Sequence, residues 1–162
     1  MNCDVIITIG TIEPHLYAGF SGGVKCIGVG AAGKETILYT HSVSFLKKKG
    51  VKLTSIKTNL FQRFLWKIQK LLNKKTYSLN IVNNYRKEMV FVSFAKAENS
   101  FNKAISFMKK HFSNRIKNKF DILFIGCDSP KERSFYQVSR LYNYVIDRVS
   151  VIRKGGGDVC FC

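Results

Sequence analysis

The sequence predicts an α/β protein, and three observations carry that reading. Short apolar runs rich in β-branched and aromatic residues recur at 5–9, 77–82, 89–94 and 120–126. Two longer stretches, 59–75 and 98–112, repeat apolar residues at helical spacing. Toward the C-terminal end a strand, a loop, a helix and a further strand follow one another, the order of a parallel α/β unit. Hydrophobic residues make up 46% of the 162 residues and aromatics 13%, enough for a core and against disorder.

Taken in order, VIITI at 5–9 ends at Gly10 and reads as a buried strand. The opening MNCDVIITIG has no basic region before its apolar run and no cleavage site, so it is a strand and not a signal peptide. Residues 11–33 form a long glycine-rich segment with Pro14 near its start, and loops of that length in compact domains are usually functional. Residues 34–49 mix helix and strand preference and end in three lysines before Gly50, a helix stop signal. The clearest helix is 59–75. Leu60, Phe61, Phe64, Leu65, Ile68, Leu71 and Leu72 form one face, and Gln62, Arg63, Lys67, Lys70 and Lys74 the other. The strands at 77–82 and 89–94 flank the polar turn NNYRKE and form a hairpin. The helix at 98–112 presents Phe101, Ala104, Ile105, Met108 and Phe112, and His111 near its end answers the helix dipole. Residues 113–119 are polar and basic and read as a linker between domains at 1–114 and 119–162. Beyond it come a buried strand at 120–126, a loop with Pro130, a helix at 135–149, and a turn on Gly155, Gly156 and Gly157 entering a last strand.

The net charge is +17, from 27 Lys and Arg against 10 Asp and Glu. Nucleic acid, an acidic lipid surface or a phosphate-bearing cofactor answers such a charge. So does a lysine-rich proteome that places Lys on any solvated face. The five cysteines are odd in number and irregular in spacing, which with no secretory signal predicts reduced thiols in a cytoplasm.

The chemistry concentrates between Glu13 and His41, which hold six of the twelve glycines, two of the three histidines and Lys25. Two imidazoles and an amine beside a glycine-rich loop offer a base, a metal ligand and a nucleophile. Gly28, Gly30 and Gly33 fit G-x-G-x-x-G, but they follow no good strand and no acid lies about twenty residues on, so a plain dinucleotide site is not expected. Backbone N–H groups cradling a phosphate remain reasonable. Scattered histidines and cysteines give no compact zinc ligand pair.

These residues carry a resemblance. PHLYAGFSGGVK, then GAAGKETI, then TH resemble the central signature of the lactate racemase family, with Pro14, His15, Gly19 to Gly23, Lys25, Gly30, Gly33, Glu35, Thr36 and His41 in register. Leu79 to Val82 resemble its LNVV strand, and SPKERSFYQVSR its P-x-D-x-x-x-Y-Q-x-x-K segment. The resemblance implies an incomplete N-terminal domain followed by the first strand-helix-strand unit of a C-terminal α/β domain. It implies an isomerase that racemises or epimerises a 2-hydroxy acid by reversible hydride transfer to a nickel–pincer nucleotide. Lys25 matches the lysine that tethers the cofactor, His41 the nickel ligand, and His15 the catalytic histidine that takes the hydroxyl proton. Ser21, Gly22 and Gly23 match cofactor-binding positions, and Tyr136, Gln137 and Arg140 substrate-binding ones.

The chain departs from the family in three ways. Members carry an earlier half with a D-x-T-R-P-type and a G-T-H-R-type segment that bring a second catalytic histidine. Val29 stands where many have proline, and Glu132 where aspartate is common. Arg140 replaces lysine, keeping the charge and changing the fork. The expectation is a gene fragment, a partial reading frame or half of a split enzyme, inactive until a separate chain supplies the N-terminal half. No membrane and no nucleic-acid partner is expected on that reading. The alternative is a basic module for nucleic acid or a membrane surface, built on the helix at 59–75, whose binding falls steeply with salt.

Overall fold

A computed structural model describes residues 3–114, 116–126, 129, 133–135, 138–139, 143–144 and 151–160, with residues 154–160 as backbone alone. The chain divides into two compact units, 1–113 and 114–162.

The first unit is built on a three-stranded sheet in the order β1-β4-β5. Strand β1 (Val5–Thr11) runs parallel to β4 (Lys75–Asn83), from Val5 opposite Lys75 to Thr11 opposite Ile81. Strand β5 (Met89–Lys96) returns antiparallel to β4, the hairpin expected from the sequence. A parallel pair needs a long crossover. Here it holds the small hairpin β2 (Pro14–His15) and β3 (Gly19–Phe20), a π-helical turn (Cys26–Gly30), and the helices α1 (Lys34–Thr40), α2 (Val43–Leu46) and α3 (Leu60–Leu71). Helix α4 (Ala97–Phe112) follows β5 directly and packs back on the sheet.

The sheet inverts the usual polarity of its two faces. Toward α4 it presents Thr8, Ser78, Asn80 and Ser93, all buried. These are satisfied internally: the Thr8 and Ser78 hydroxyls meet at 2.6 Å, and Asn80 Nδ2 donates to Ser100 Oγ at 2.9 Å. Val82 completes that face, packing with Phe101, Ala104, Ile105 and Met108 of α4. The opposite face carries Val5, Ile7, Ile9, Val92 and Phe94, all exposed, with Ile9 64% accessible. Strand β1 is thus a half-exposed edge strand and not the buried strand its composition predicts. Side chains alternate across a strand, so its apolar odd positions all reach the open face.

Helix α3 departs from the sequence reading at both ends and on one face. Asn59 is its N-cap, its Oδ1 accepting from the amides of Phe61 and Gln62. The helix stops at Leu71, Asn73 takes a positive φ of 47°, and Lys75 already belongs to β4. Gln62, assigned above to the solvent face, is 2% exposed. The mixed segment at 34–49 resolves into two short helices, because Ser42 caps α2 by accepting from the Phe45 amide.

In the second unit β6 (Phe120–Ile125) pairs in parallel with β7 (Ile152–Cys160), which bears out the parallel α/β expectation. Two details differ. Phe120, Ile122 and Phe124 are exposed, so β6 is not a buried strand. Gly155, Gly156 and Gly157 lie within β7, where the register against β6 shifts from Ile152 opposite Phe120 to Gly157 opposite Ile122, in place of the expected turn before the strand. The loop at 127–134 and the helix at 135–149 fall largely outside the described residues. Among described residues no helix is long and apolar enough to cross a membrane.

Candidate functional site

The site is laid out by the hairpin that follows β1. Its two strands pair Pro14 with Phe20 and His15 with Gly19. Helix α3 holds the hairpin from one side through two amide side chains. Asn59 Nδ2 donates to the Tyr17 carbonyl at 2.8 Å, and Gln62 Nε2 donates to the Ala18 and Phe20 carbonyls at 2.8 and 3.1 Å. Ser21 ties the other end: its hydroxyl donates to the Thr11 carbonyl at 2.7 Å and accepts from the Glu13 amide at 2.9 Å. A hairpin this short has little core of its own, so these bonds position what it carries.

It carries His15 and Tyr17. His15 Nδ1 accepts from the Tyr17 and Ala18 amides at 3.3 and 3.2 Å. Those amides can only donate, so the neutral ring holds its proton on Nε2. His41, just after α1, has the opposite arrangement. Its Nδ1 lies 2.9 Å from the Ile37 carbonyl and 3.1 Å from Thr40 Oγ1. A carbonyl can only accept, so Nδ1 carries the proton and the Nε2 lone pair is left for a ligand. A metal-binding histidine commonly donates its other N–H to a backbone carbonyl. The two imidazoles flank Tyr17, whose ring meets His15 at 6.2 Å and His41 at 6.3 Å, both edge-on.

Beyond the hairpin, Gly22 and Gly23 turn the chain beneath the sheet at φ +81° and +53°. A Cβ on Gly23 would stand 2.8 Å from the Phe101 ring. Its amide donates to Asn80 Oδ1 at 3.0 Å, so this N–H is engaged inside the protein. Lys25 follows, half-buried at the head of the π-helical turn, its amide donating to the Gly22 carbonyl at 3.2 Å. Gly28 lies in that turn against α3, 2.6 Å from Leu65 Cδ2 were a Cβ present. Close helix packing, and no dinucleotide turn, accounts for it.

The structure thus gathers His15, Tyr17 and His41 on one side of the hairpin and sets Ser21, Gly22, Gly23 and Lys25 along the strand-to-turn segment beside it. Tyr136, Gln137 and Arg140 lie outside the described residues. Sequence reasoning missed Asn59, Gln62 and Asn80, the three buried amides that hold this segment. An Asn just before an apolar helical run was a visible capping signal for Asn59. For the other two no local pattern exists.

Three comparisons bear on this arrangement. A family model described as the lactate racemase N-terminal domain matches residues 1–53. The lactate racemase of Thermoanaerobacterium thermosaccharolyticum is 26% identical over 137 residues, 85% of this chain and 32% of that protein. The structure of the lactate racemase apoprotein from the same organism superposes over 98% of this chain and 37% of its own, with TM-score 0.83 and 25% identity. The chain thus matches the lactate racemase N-terminal domain over its first 53 residues and is similar to a lactate racemase along most of its length.

The lactate racemase of Lactiplantibacillus plantarum is 46% identical over 43 residues, 26% of this chain and 10% of that protein. A Thermotoga maritima protein shares the fold at TM-score 0.71 and 16% identity. The chain spans about a third of the length of the Thermoanaerobacterium relatives it matches.

Proposed function

We propose that this chain is the central portion of a lactate racemase-like isomerase that racemises or epimerises a 2-hydroxy acid using a nickel–pincer nucleotide. The observation that carries the reading is the His41 Nδ1–Ile37 carbonyl contact of 2.9 Å, which turns a bare Nε2 outward. Imidazole nitrogen suits nickel. His41 is then the residue that would ligate the metal, and Lys25 the residue that would tether the nucleotide. When bound, that cofactor accepts and returns the C2 hydride of the substrate.

The chain's own residues handle position and proton. Tyr17 lies between the two imidazoles, its ring edge-on to each. His15 works at Nε2. To take the hydroxyl proton there, its ring must first shift its own proton to Nδ1, which the Tyr17 and Ala18 amides oppose while both point at that atom. The turn at 16–18 therefore yields, or the ring flips, as substrate binds. Ser21, Gly22 and Gly23 would bind the nucleotide along the segment that leads to Lys25.

A further polypeptide segment completes the site. Support comes from the open apolar face of the sheet, with Ile7, Ile9, Val92 and Phe94 exposed side by side. Monomers rarely leave such a patch uncovered. The remaining two thirds of the relatives' length is the segment proposed to cover it, and the site would be inactive without it.

Co-expression with cofactor-making enzymes tests the reading through intact mass and nickel content. The expected result is a covalent adduct lost in Lys25→Ala, and nickel lost while the adduct persists in His41→Ala. Neither adduct nor nickel, with the remainder of a relative co-expressed, overturns it.

A further inference from the structure

A basic trench runs between α3 and α4, and none of His15, Lys25 and His41 lines it. It consists of two adjoining hollows of about 840 and 510 Å³ that share Arg63, Trp66 and Glu98 in their walls. Lys67, Lys70, Lys75 and Lys96 line the larger, and Lys57 and Lys109 the smaller. All seven cations are exposed, and among the described residues none of them is ion-paired. Glu98 is the one acid among the lining residues. Like charges this close repel and destabilise the compact state, and a bound polyanion relieves that repulsion.

Two features narrow the anion. Arg63, Lys67 and Lys70 follow one another at i, i+4 and i+7 along α3, a charged stripe roughly 10 Å long at about 1.5 Å per residue. An extended chain of charges matches a stripe better than a single phosphate does. Trp66 sits at the wall common to both hollows, half-buried, with its ring held edge-on against Phe101 at 5.9 Å. Cations that track a backbone beside a fixed aromatic ring are how single-stranded nucleic acids are bound without sequence preference, since every base has a face to stack.

We propose that the α3–α4 trench binds single-stranded nucleic acid, its phosphates on the Arg63, Lys67 and Lys70 stripe and a base against Trp66. This binding is independent of the isomerase reading. Trp66 is the chain's single tryptophan, so its fluorescence reports on the trench alone.

The test titrates the full chain with a twelve-residue oligo(dT), with thymidine monophosphate, with inorganic polyphosphate and with vesicles containing phosphatidylserine. The oligonucleotide is expected to quench Trp66, with log K falling linearly in log salt at about 0.7 per phosphate engaged. Lys67→Ala with Lys70→Ala is expected to weaken binding about tenfold and to reduce that slope by about 1.4. Both residues are exposed, so circular dichroism and melting are expected to match the parent. An affinity unchanged in that variant overturns the proposal. So does monophosphate binding as tight as the oligomer, polyphosphate matching the oligomer in affinity and quenching, or vesicle binding with no response to oligonucleotide.

Discussion

The Gly23 amide donates to Asn80 Oδ1 at 3.0 Å, across 57 positions of sequence. That bond fastens the glycine-rich segment to the central strand, and Asn80 passes it on to α4 through Ser100, whose hydroxyl donates to the Ser93 carbonyl at 2.7 Å. Every member is buried. Asn80→Ala leaves the Gly23 amide without a partner and is expected to cost about 2–3 kcal/mol, since an orphaned buried group costs about 1–3. Asn80→Asp keeps the acceptor and loses the donor to Ser100. Urea denaturation of both variants against the parent measures the difference, and equal stability for Asn80→Ala would refute the role given to this amide.

Gly23→Ala meets two obstacles at once, a positive φ and the Phe101 ring at 2.8 Å. The backbone conformation alone costs about 1–2 kcal/mol, and the overpacking typically about 1–3 more. Gly30→Ala, whose Cβ would have its nearest neighbour at 4.0 Å, is the control expected to be nearly neutral. Thermal melts of the pair separate packing from glycine content.

Asn59 serves α3 with its oxygen and the hairpin with its nitrogen. Asn59→Ala loses both and is expected to cost about 2 kcal/mol or more, the cap contributing about 1 of it. Asn59→Asp retains the cap and sets a carboxylate against the Tyr17 carbonyl. It is expected to keep the helix while loosening the hairpin, seen as faster amide exchange at 17–20 with α3 protection retained.

The two histidines are expected to be opposite tautomers when neutral, His15 protonated on Nε2 and His41 on Nδ1. Long-range ¹⁵N–¹H spectra at a pH above both titrations read this directly. Ring nitrogens of the same protonation in both residues would remove the structural argument for His41 as the ligand. Thr40→Val is expected to leave the His41 pattern intact, because the Ile37 carbonyl at 2.9 Å remains.

The open sheet face is expected to respond to polar substitution by changing association and not stability. Ile9→Thr with Phe94→Ser removes two exposed apolar side chains, and surface changes of that kind usually stay within about 0.5 kcal/mol. Light scattering is expected to fall relative to the parent. A large drop in melting temperature would mean that this face is packed within the chain itself.

Much of the architecture was legible from residue type and spacing. Alternation and β-branching located β1, β4, β5 and β6. Apolar residues three and four apart located α3 and α4, and Asn59 and the N-terminal run of α3 mark its start in plain view. Local chemistry suffices for the helices because each satisfies its own backbone within a few residues, and for the strands because β-branched and aromatic side chains fit a pleated surface. The register of His15, Lys25 and His41 likewise stood in the sequence as a motif.

What the sequence did not contain was which face of each element would be buried. Ile7 and Ile9 are as apolar as any core residue, yet they are exposed, while Thr8, Ser78 and Asn80 are buried. Gln62 looked like solvent surface and became the donor to two hairpin carbonyls. Such outcomes depend on partners tens of positions away. A polar side chain is worth burying only where a complementary group already waits, and only the tertiary structure brings Asn80 to Gly23 or Gln62 to Ala18. The opposite hydrogen-bonding of His15 and His41 is set locally, by the Tyr17 and Ala18 amides in one case and the Ile37 carbonyl in the other, and the tertiary structure's part is to hold the hairpin in place through Asn59 and Gln62.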